Sequence, residues 1–196
     1  MGAQVFPSVW SLYAGGTVAP FGYLDTDGLR VRIVAGYGDY RSGTVSFADL
    51  LLGHHKQLGS LTIKVFGGLT LANHAAESPF SDLDGPGAGA KGVVETWWNL
   101  NENIWLNTDL SYGSLHDSYL VRARLGYRFT PQLSLGLEGG AAGSLETDLV
   151  RVGGFLRYEW AKGEVSVSAG AAREGFDLLW DDATGAYATV TALTRF

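Results

Sequence analysis

The chain has 196 residues, of which 46% are hydrophobic, and its mean hydropathy is only +0.06. No run approaches the roughly 18 consecutive apolar residues that a membrane-spanning helix needs, so that architecture is excluded, whereas a β-barrel needs only alternating polarity. The net charge of −6 argues against a nucleic-acid partner. The absence of cysteine excludes disulfides and thiolate metal sites. The length predicts one domain over residues 1–196.

The segment 119–129 shows the pattern that recurs along the chain. Its apolar and aromatic residues alternate with Arg122, Arg124 and Arg128, the period of two that indicates a β-strand. In chain order the alternating segments are 29–37, 44–56, 61–71, 91–100, 104–112, 119–129, 133–138, 150–159, 164–171 and 188–192, and we expect a short first strand around 4–9. In 44–56 the run Asp49-Leu50-Leu51-Leu52 blurs the alternation, which predicts a β-bulge.

The connections between these segments alternate in length. Short turns are predicted at 25–28, 57–59, 101–103, 130–132 and 161–163, and longer stretches at 72–89, 113–117, 142–148 and 173–185. Only the connection at 41–43 breaks this pattern, because it is short but lies on the same side as the longer stretches. Outer-membrane barrels have short periplasmic turns and longer outer loops. We therefore predict an all-β fold: a transmembrane, antiparallel, up-and-down β-barrel of about twelve strands, with ten as the fallback, in the bacterial outer membrane.

The alternative is a soluble β-sandwich or lipocalin-like barrel, whose apolar residues point inward. Three features favour the membrane. One is the clustering of charged residues on one face of strand after strand. The chain ends in Phe196, as a closing strand of an outer-membrane barrel typically does. Aromatic residues also lie at segment ends, as interfacial girdles do; they are Tyr37, Tyr40, Trp97, Trp98, Trp105, Tyr127, Phe129, Tyr158 and Trp160. Since an outer-membrane protein needs a signal peptide and Met1-Gly2-Ala3-Gln4 carries none, we expect a mature sequence with an added Met; a cytoplasmic protein is the alternative.

The face opposite the apolar one carries charge in strand after strand. The residues predicted to line the lumen are Arg30, Arg32, Lys64, Lys91, Glu95, Asp109, Arg122, Arg124, Arg128, Glu138, Arg151 and Arg157; Asp49, Glu159 and Glu164 share that face. Two interpretations remain open. The lumen is either a narrow pore that favours anionic solutes, or an arginine–carboxylate network that fills a small barrel. Barrels of about eight strands are filled by side chains and barrels of about 16 are open, and this chain lies between.

The remaining candidates are weaker. A lipid-modifying barrel enzyme would use His74 or His116 with a nearby Ser or Asp, such as Ser78, Ser81, Asp82, Asp84 or Asp117, but no spacing here defines a positioned base, so we predict no catalytic residues. His54 and His55 adjoin a short turn. Asp177, Asp181 and Asp182 with Trp180 form an acidic outer loop, for which a solvated loop is favoured over weak calcium binding. No metal and no cofactor is predicted.

Several blocks of sequence carry a family resemblance. The distinctive one is Ala19-Pro20-Phe21-Gly22-Tyr23 continuing through Asp27-Gly28-Leu29-Arg30-Val31-Arg32; the others are 36–40, 90–100, 123–136, 153–159 and 163–168. From about Trp10 on, the chain resembles the cellulose biosynthesis protein BcsS family of Alphaproteobacteria. The resemblance implies association with cellulose synthesis or export at the outer membrane, and it implies no catalytic residues.

The leading hypothesis is therefore a non-enzymatic outer-membrane barrel of cellulose production, acting as a narrow channel or as a scaffold. Its expected partners are outer-membrane lipid and lipopolysaccharide, and either the cellulose-export machinery or a saccharide. The alternatives are a lipid-modifying enzyme and a general small-solute pore. Because cellulose is uncharged, a polymer tunnel would need flat aromatic platforms, for which the candidates are Trp97 or Trp98, Trp105, Phe66 and Phe155. Their small number favours scaffold or small-solute passage.

Overall fold

The computed structural model describes residues 2–6, 9–40, 43–76, 84–145, 148–174 and 184–194. In these residues twelve antiparallel strands form a closed barrel. The strands are β1 Gly2–Phe6, β2 Val9–Val18, β3 Gly28–Tyr40, β4 Gly43–Leu58, β5 Leu61–Ala76, β6 Gly85–Asn99, β7 Ile104–Gly113, β8 Ser118–Arg128, β9 Leu133–Gly143, β10 Asp148–Trp160, β11 Gly163–Glu174 and β12 Thr184–Thr194. The prediction of about twelve strands is confirmed.

Each strand pairs with the next one along the chain, and β1 closes the ring by pairing with β12, from Gly2 opposite Thr191 to Val5 opposite Ala188. This is the up-and-down topology that the sequence predicts. The strand expected around 4–9 is in fact the end of β1 together with the start of β2. Within the described part of the chain, no helix is long and apolar enough to cross a membrane.

The outer wall of the barrel is apolar. Its most exposed positions include Leu137 at 68%, Val152 at 64% and Leu69 at 63%. A continuous exposed apolar band around a barrel is stable against hydrocarbon and would be unstable in water. In a soluble barrel these side chains would point inward, so the soluble alternative is wrong for this fold.

The predicted bulge in β4 is absent. The pairing of β4 with β3 and with β5 runs without interruption from Gly43 to Leu58 on the β5 side. Asp49 and Leu51 point inward and are 3% and 2% exposed, whereas Leu50 and Leu52 point outward and are each 56% exposed. The alternation looked irregular because an apolar residue, Leu51, fills an inward position in a closed interior.

The two ends of the barrel differ. At one end, called here the short-turn end, strands are joined by 59–60, 100–103, 129–132 and 161–162. The β2–β3 connection at this end spans 19–27 and is longer than the predicted turn at 25–28. At the other end, the long-loop end, β7 and β8 are joined through Ser114 and a 3₁₀ turn, Leu115–Asp117. The segments 77–83, 146–147 and 175–183 of that end, and residues 41–42, lie outside the described residues.

Candidate functional site: the barrel interior

Charged side chains of β3 to β6 connect across the interior. Arg32 on β3 donates two hydrogen bonds to Glu95 on β6, at 2.5 and 2.9 Å, and so spans β4 and β5. Lys91 on β6 pairs with Asp49 on β4 at 2.6 Å. Lys64 Nζ is 4.0 Å from Glu95 Oε2. The bidentate pair of Arg32 with Glu95 is of a strong and geometrically specific type, so it holds β3 and β6 together across the interior.

A second charged cluster centres on Glu138. Its carboxylate, with a side chain 0% exposed, accepts a hydrogen bond from Arg124 at 2.5 Å and one from the Tyr187 hydroxyl at 3.2 Å. Arg151 lies 3.7 Å away. On the adjacent strands, Arg122 of β8 binds Asp109 of β7 through two nitrogens, at 2.5 and 2.9 Å. A buried carboxylate is tolerable only with such partners, because an unpaired one would lose its hydration without compensation.

Three further arginines were predicted to line a lumen, and each has interior or rim partners. Arg157 binds Glu159 at 2.9 Å and Glu164 at 2.5 Å. Arg128 donates to the Asn99 side chain at 2.6 Å and to the Glu102 carbonyl at 3.2 Å.

The third, Arg30, is only 1% exposed and donates to the carbonyls of Leu29, Tyr23, Leu24 and Thr26. Its role in the structure is therefore to hold the 19–27 connection in place. That connection presents Phe21 and Tyr23 at 78% and 77% exposure.

Aromatic rings pack together in the interior between these clusters. Trp97 stacks on Trp105 with ring centroids 4.2 Å apart, and Trp105 contacts Phe155 at 5.4 Å. The Arg157 guanidinium lies 4.9 Å from the Trp97 ring, and that of Arg124 lies 5.2 Å from Phe155. Trp105 is 1% and Phe155 2% exposed. We call these five side chains the septum. Rings that are so buried cannot border an open, water-filled channel at this level.

The girdle prediction is therefore wrong for Trp105. Of the adjacent pair Trp97 and Trp98, which is expected to point to opposite faces with one ring in the girdle, Trp97 points inward. Trp105 occupies the same inward face of β7 as Asn107 and Asp109, and its indole N–H donates to Ser134 at 3.3 Å. Trp98 does point outward, at 44% exposure. Period-two alternation in 104–112 already assigned Trp105 to the polar face, but its size and its place near a strand end favoured the girdle.

Inward aromatics are matched by inward glycines on the neighbouring strand. A Cβ added to Gly126 would lie 2.3 Å from the Trp105 ring, and one added to Gly136 would lie 2.6 Å from Phe155. Gly53 stands in the same relation to Phe66, at 2.3 Å. Each glycine thus provides the space in which a large ring lies flat against the wall. The high glycine content that the sequence shows is explained in part by this packing.

One part of the interior retains space. A cavity of about 80 Å³ is lined by Thr62, Lys64, Glu95, Thr96, Trp97, Asn107 and Asp109. The side chains of Lys64, Glu95 and Asp109 are 39%, 24% and 18% exposed, compared with 7% for Arg124 and 0% for Glu138. Solvent therefore reaches this group of charges and is excluded from the Glu138 cluster.

The histidines weighed as catalytic candidates lie at the long-loop end. The rings of His74 and His116 meet edge to face at 4.8 Å. Asp117 accepts a hydrogen bond from Tyr112 at 2.5 Å. His54 is exposed on the outer face, whereas His55 is buried 3.3 Å from Arg30. In the described residues no three or more His, Cys, Asp or Glu side chains form a metal-binding group.

Several residues that the sequence singled out lie outside the described part of the chain. They are Ser78, Ser81, Asp82, Asp177, Trp180, Asp181, Asp182 and the terminal Phe196.

Sequence reasoning missed Tyr187 and Ser166. Tyr187 is 2% exposed and supports Glu138, and Ser166 is 2% exposed and receives a 3.4 Å contact from Arg124. The signal for both was available, because Ala188 and Val190 mark the outward row of β12 and Val165 and Val167 that of β11. Their inward neighbours were passed over because they carry no charge.

The closed ring of twelve antiparallel strands, apolar outside and charged inside, defines a porin-type β-barrel. Solved structures agree on the fold. The chain is similar to a structure titled NanC porin (TM-score 0.60, 8% identity, covering 100% of this chain and 97% of that one). It is also similar to KdgM porin in complex with disordered oligogalacturonate (TM-score 0.56, 10% identity, 100% and 96% covered). Identities this low establish the fold alone.

The sequence matches the family described as cellulose biosynthesis protein BcsS over residues 1–196, so the chain belongs to that family. No curated protein matches the sequence.

Proposed function

We propose that this protein is a non-enzymatic outer-membrane component of cellulose production whose barrel is closed at rest and which acts as a scaffold. The observation that carries the proposal is the septum. Trp105 and Phe155 are buried to 1–2% exposure inside the ring, and ion pairs and hydrogen bonds between non-adjacent strands hold the walls together around them. A barrel filled in this way is a rigid membrane anchor with two faces for partners.

The location follows from the wall and the family. The apolar outer band requires hydrocarbon, and β-barrels are a fold that spans membranes with no exposed strand edge. Membership of a family described as cellulose biosynthesis proteins supports a role in cellulose production. A polymer tunnel is disfavoured, because the four inward platform candidates Phe66, Trp97, Trp105 and Phe155 pack against arginines and one another.

A gated saccharide channel is the second candidate, and one observation favours it. Among the inward side chains that the structure describes, nine basic residues accompany six acidic ones, an excess of three positive charges in a chain of net charge −6. An electropositive interior attracts anionic solutes. The similar KdgM porin was solved with an acidic oligosaccharide, oligogalacturonate. In this chain, however, most of the positive charge is neutralised by interior carboxylates.

Planar-bilayer conductance of the purified barrel separates the two candidates. The proposal expects a silent wild-type barrel, and steady conductance in the Trp97→Ala/Trp105→Ala variant, which removes the stacked pair. Trp98→Ala, which faces outward, is the matched control and should stay silent. Steady wild-type conductance that oligosaccharides block would defeat the closed scaffold and support the channel. Lipid hydrolysis lost in His74→Ala or His116→Ala would overturn both.

A further inference from the structure

The interior cavity beside the septum combines features that recognise hydroxyl-rich rings. It is bordered by the indole of Trp97, the carboxylates of Glu95 and Asp109, the ammonium of Lys64 and the amide of Asn107. An apolar ring face together with convergent polar groups is the usual composition of a small-molecule site. Within this wall the Asn107 amide donates to the Thr96 carbonyl at 2.9 Å and approaches Asp109 at 3.4 Å, whereas Lys64 comes no nearer to Glu95 than 4.0 Å.

The groups around the cavity are held in place without exhausting their bonding capacity. Arg32 fixes Glu95 and Arg122 fixes Asp109, yet neither arginine borders the cavity. Carboxylate oxygens can accept further hydrogen bonds beyond those already formed. The cavity wall therefore presents acceptors whose orientation is fixed from behind.

Lys64 provides the donor. Among the contacts of the described residues, its ammonium has only the 4.0 Å approach to Glu95, and its side chain is 39% exposed. An ammonium has three donor positions, and a separation of 4.0 Å is too long for a hydrogen bond. Lys64 is thus available to a ligand oxygen.

The cavity size limits what can bind. A volume of about 80 Å³ would hold about three water molecules at about 30 Å³ each, which corresponds to the hydroxyl-bearing edge of one pyranose ring rather than a polymer in transit. Arg32 and Arg122 already neutralise Glu95 and Asp109 from behind the wall, but the carboxylate of an anionic sugar has no proton to donate to these acceptor oxygens. A neutral sugar can donate its hydroxyls to the carboxylates and accept from the lysine.

We infer that this cavity binds the hydroxyl-bearing edge of a single neutral saccharide residue, with Trp97 as the apolar wall, Glu95 and Asp109 as acceptors and Lys64 as the donor. The choice of a glucose unit as the sugar rests on the proposed function in cellulose production. The hydroxyl-binding chemistry rests on the cavity alone. The neutral sugar proposed here contrasts with the acidic oligosaccharide, oligogalacturonate, in the similar structure of KdgM porin.

Saturation-transfer NMR on the folded full-length barrel in nanodiscs tests the inference with cellotriose and with trigalacturonate as the probes. Cellotriose should bind more tightly than trigalacturonate. Trp97→Leu should weaken cellotriose binding about tenfold, the loss of one ring contact of about 1.4 kcal/mol. The control Trp98→Leu changes the adjacent, outward indole and should leave binding unchanged.

The lysine gives an independent arm with little risk to folding. Lys64→Gln should weaken cellotriose binding, whereas Lys56→Gln, at an exposed lysine near the same end that pairs with Asp27, should not. Heat-modifiable gel migration checks that every variant is folded. Absence of cellotriose binding, equal or tighter binding of trigalacturonate, or binding insensitive to both Trp97→Leu and Lys64→Gln would overturn the site. A barrel that conducts and binds cellotriose would contradict the closed scaffold and support the sugar site. A barrel that does not conduct and binds neither sugar would support the closed scaffold and contradict the sugar site.

Discussion

At the scale of single residues, position on the barrel wall decides what a side chain can be. Leu125 and Arg124 are neighbours in β8, yet Leu125 is 47% exposed on the outer band and Arg124 is 6% exposed inside. A one-residue change of register would exchange them. Substitutions at the two positions therefore probe different environments, hydrocarbon on one side and an ion-pair network on the other.

Leu125→Arg places a charge in the middle of the outer band. We expect it to lower the free energy of unfolding by roughly 2–4 kcal/mol, the cost of an arginine near the bilayer midplane of a barrel. Reversible urea unfolding in phospholipid vesicles measures this. Leu125→Ala is the control, since it removes the apolar side chain without adding charge. Equal losses in the two variants would show that Leu125 does not face lipid.

Glu138→Gln removes the charge that Arg124 and Arg151 share. Because breaking a buried pair leaves an uncompensated charge, we expect a loss of about 3–5 kcal/mol. The double variant Arg124→Met/Glu138→Leu should lose less than the sum of its two single variants, since it removes both charges together. The same urea titration in vesicles measures all of these. Simple additivity would contradict the pairing.

At the scale of strands, the interior is built from rings on one strand and glycines on the next. Gly126 on β8 accommodates Trp105 on β7, and Gly136 on β9 accommodates Phe155 on β10. Glycine within a strand is destabilising by itself. The volume of the facing ring therefore explains why glycine occupies these two positions. Outward glycines such as Gly92 meet no atom within 4 Å of an added Cβ, and they have no such constraint.

Gly126→Ala should therefore displace Trp105, because the added carbon would overlap the indole. We expect a loss of about 1–3 kcal/mol from overpacking, together with a change in the Trp emission spectrum. Gly92→Ala is the matched control, a glycine in a strand with open space in front of it. If both variants behave alike in unfolding and emission, the tight packing of Trp105 against β8 is wrong.

At the scale of the whole molecule, the inward face carries an excess of positive charge while the chain as a whole is negative. Most of the interior charges form ion pairs between strands, so they stabilise the barrel. If the septum is removed, the same charge would face water and would act on ions. Under the proposed function, the interior wall is that of an anion-selective pore, and the septum keeps this pore closed.

The opened variant Trp97→Ala/Trp105→Ala should accordingly prefer anions, because cavities lined by one sign of charge concentrate the opposite ion. The reversal potential in a KCl gradient across a planar bilayer reports this preference. Adding Arg32→Gln, which removes one positive charge from the interior, should reduce the preference without closing the pore. Cation preference in the opened variant would contradict the assignment of the basic face to the interior.

The sequence by itself determined the class of fold and the assignment of faces. Alternation in segments such as 119–129 places Arg122 and Arg124 on one side and Leu125 on the other, because side chains in a strand point to opposite faces in turn. Connection lengths and the number of segments then led to about twelve strands. These are local properties, and a single strand already carries them.

Only the tertiary structure showed which side chains meet in the interior of the barrel. The pairs Arg32–Glu95 and Tyr187–Glu138 join strands that are not neighbours, and the septum brings Trp97, Trp105 and Phe155 together from three strands. No spacing along the chain encodes contacts across a closed ring, because they depend on strand tilt, on shear and on which side chains fill the middle. For the same reason Trp105 was misplaced in a girdle and Tyr187 was missed, although the alternation of their strands was readable.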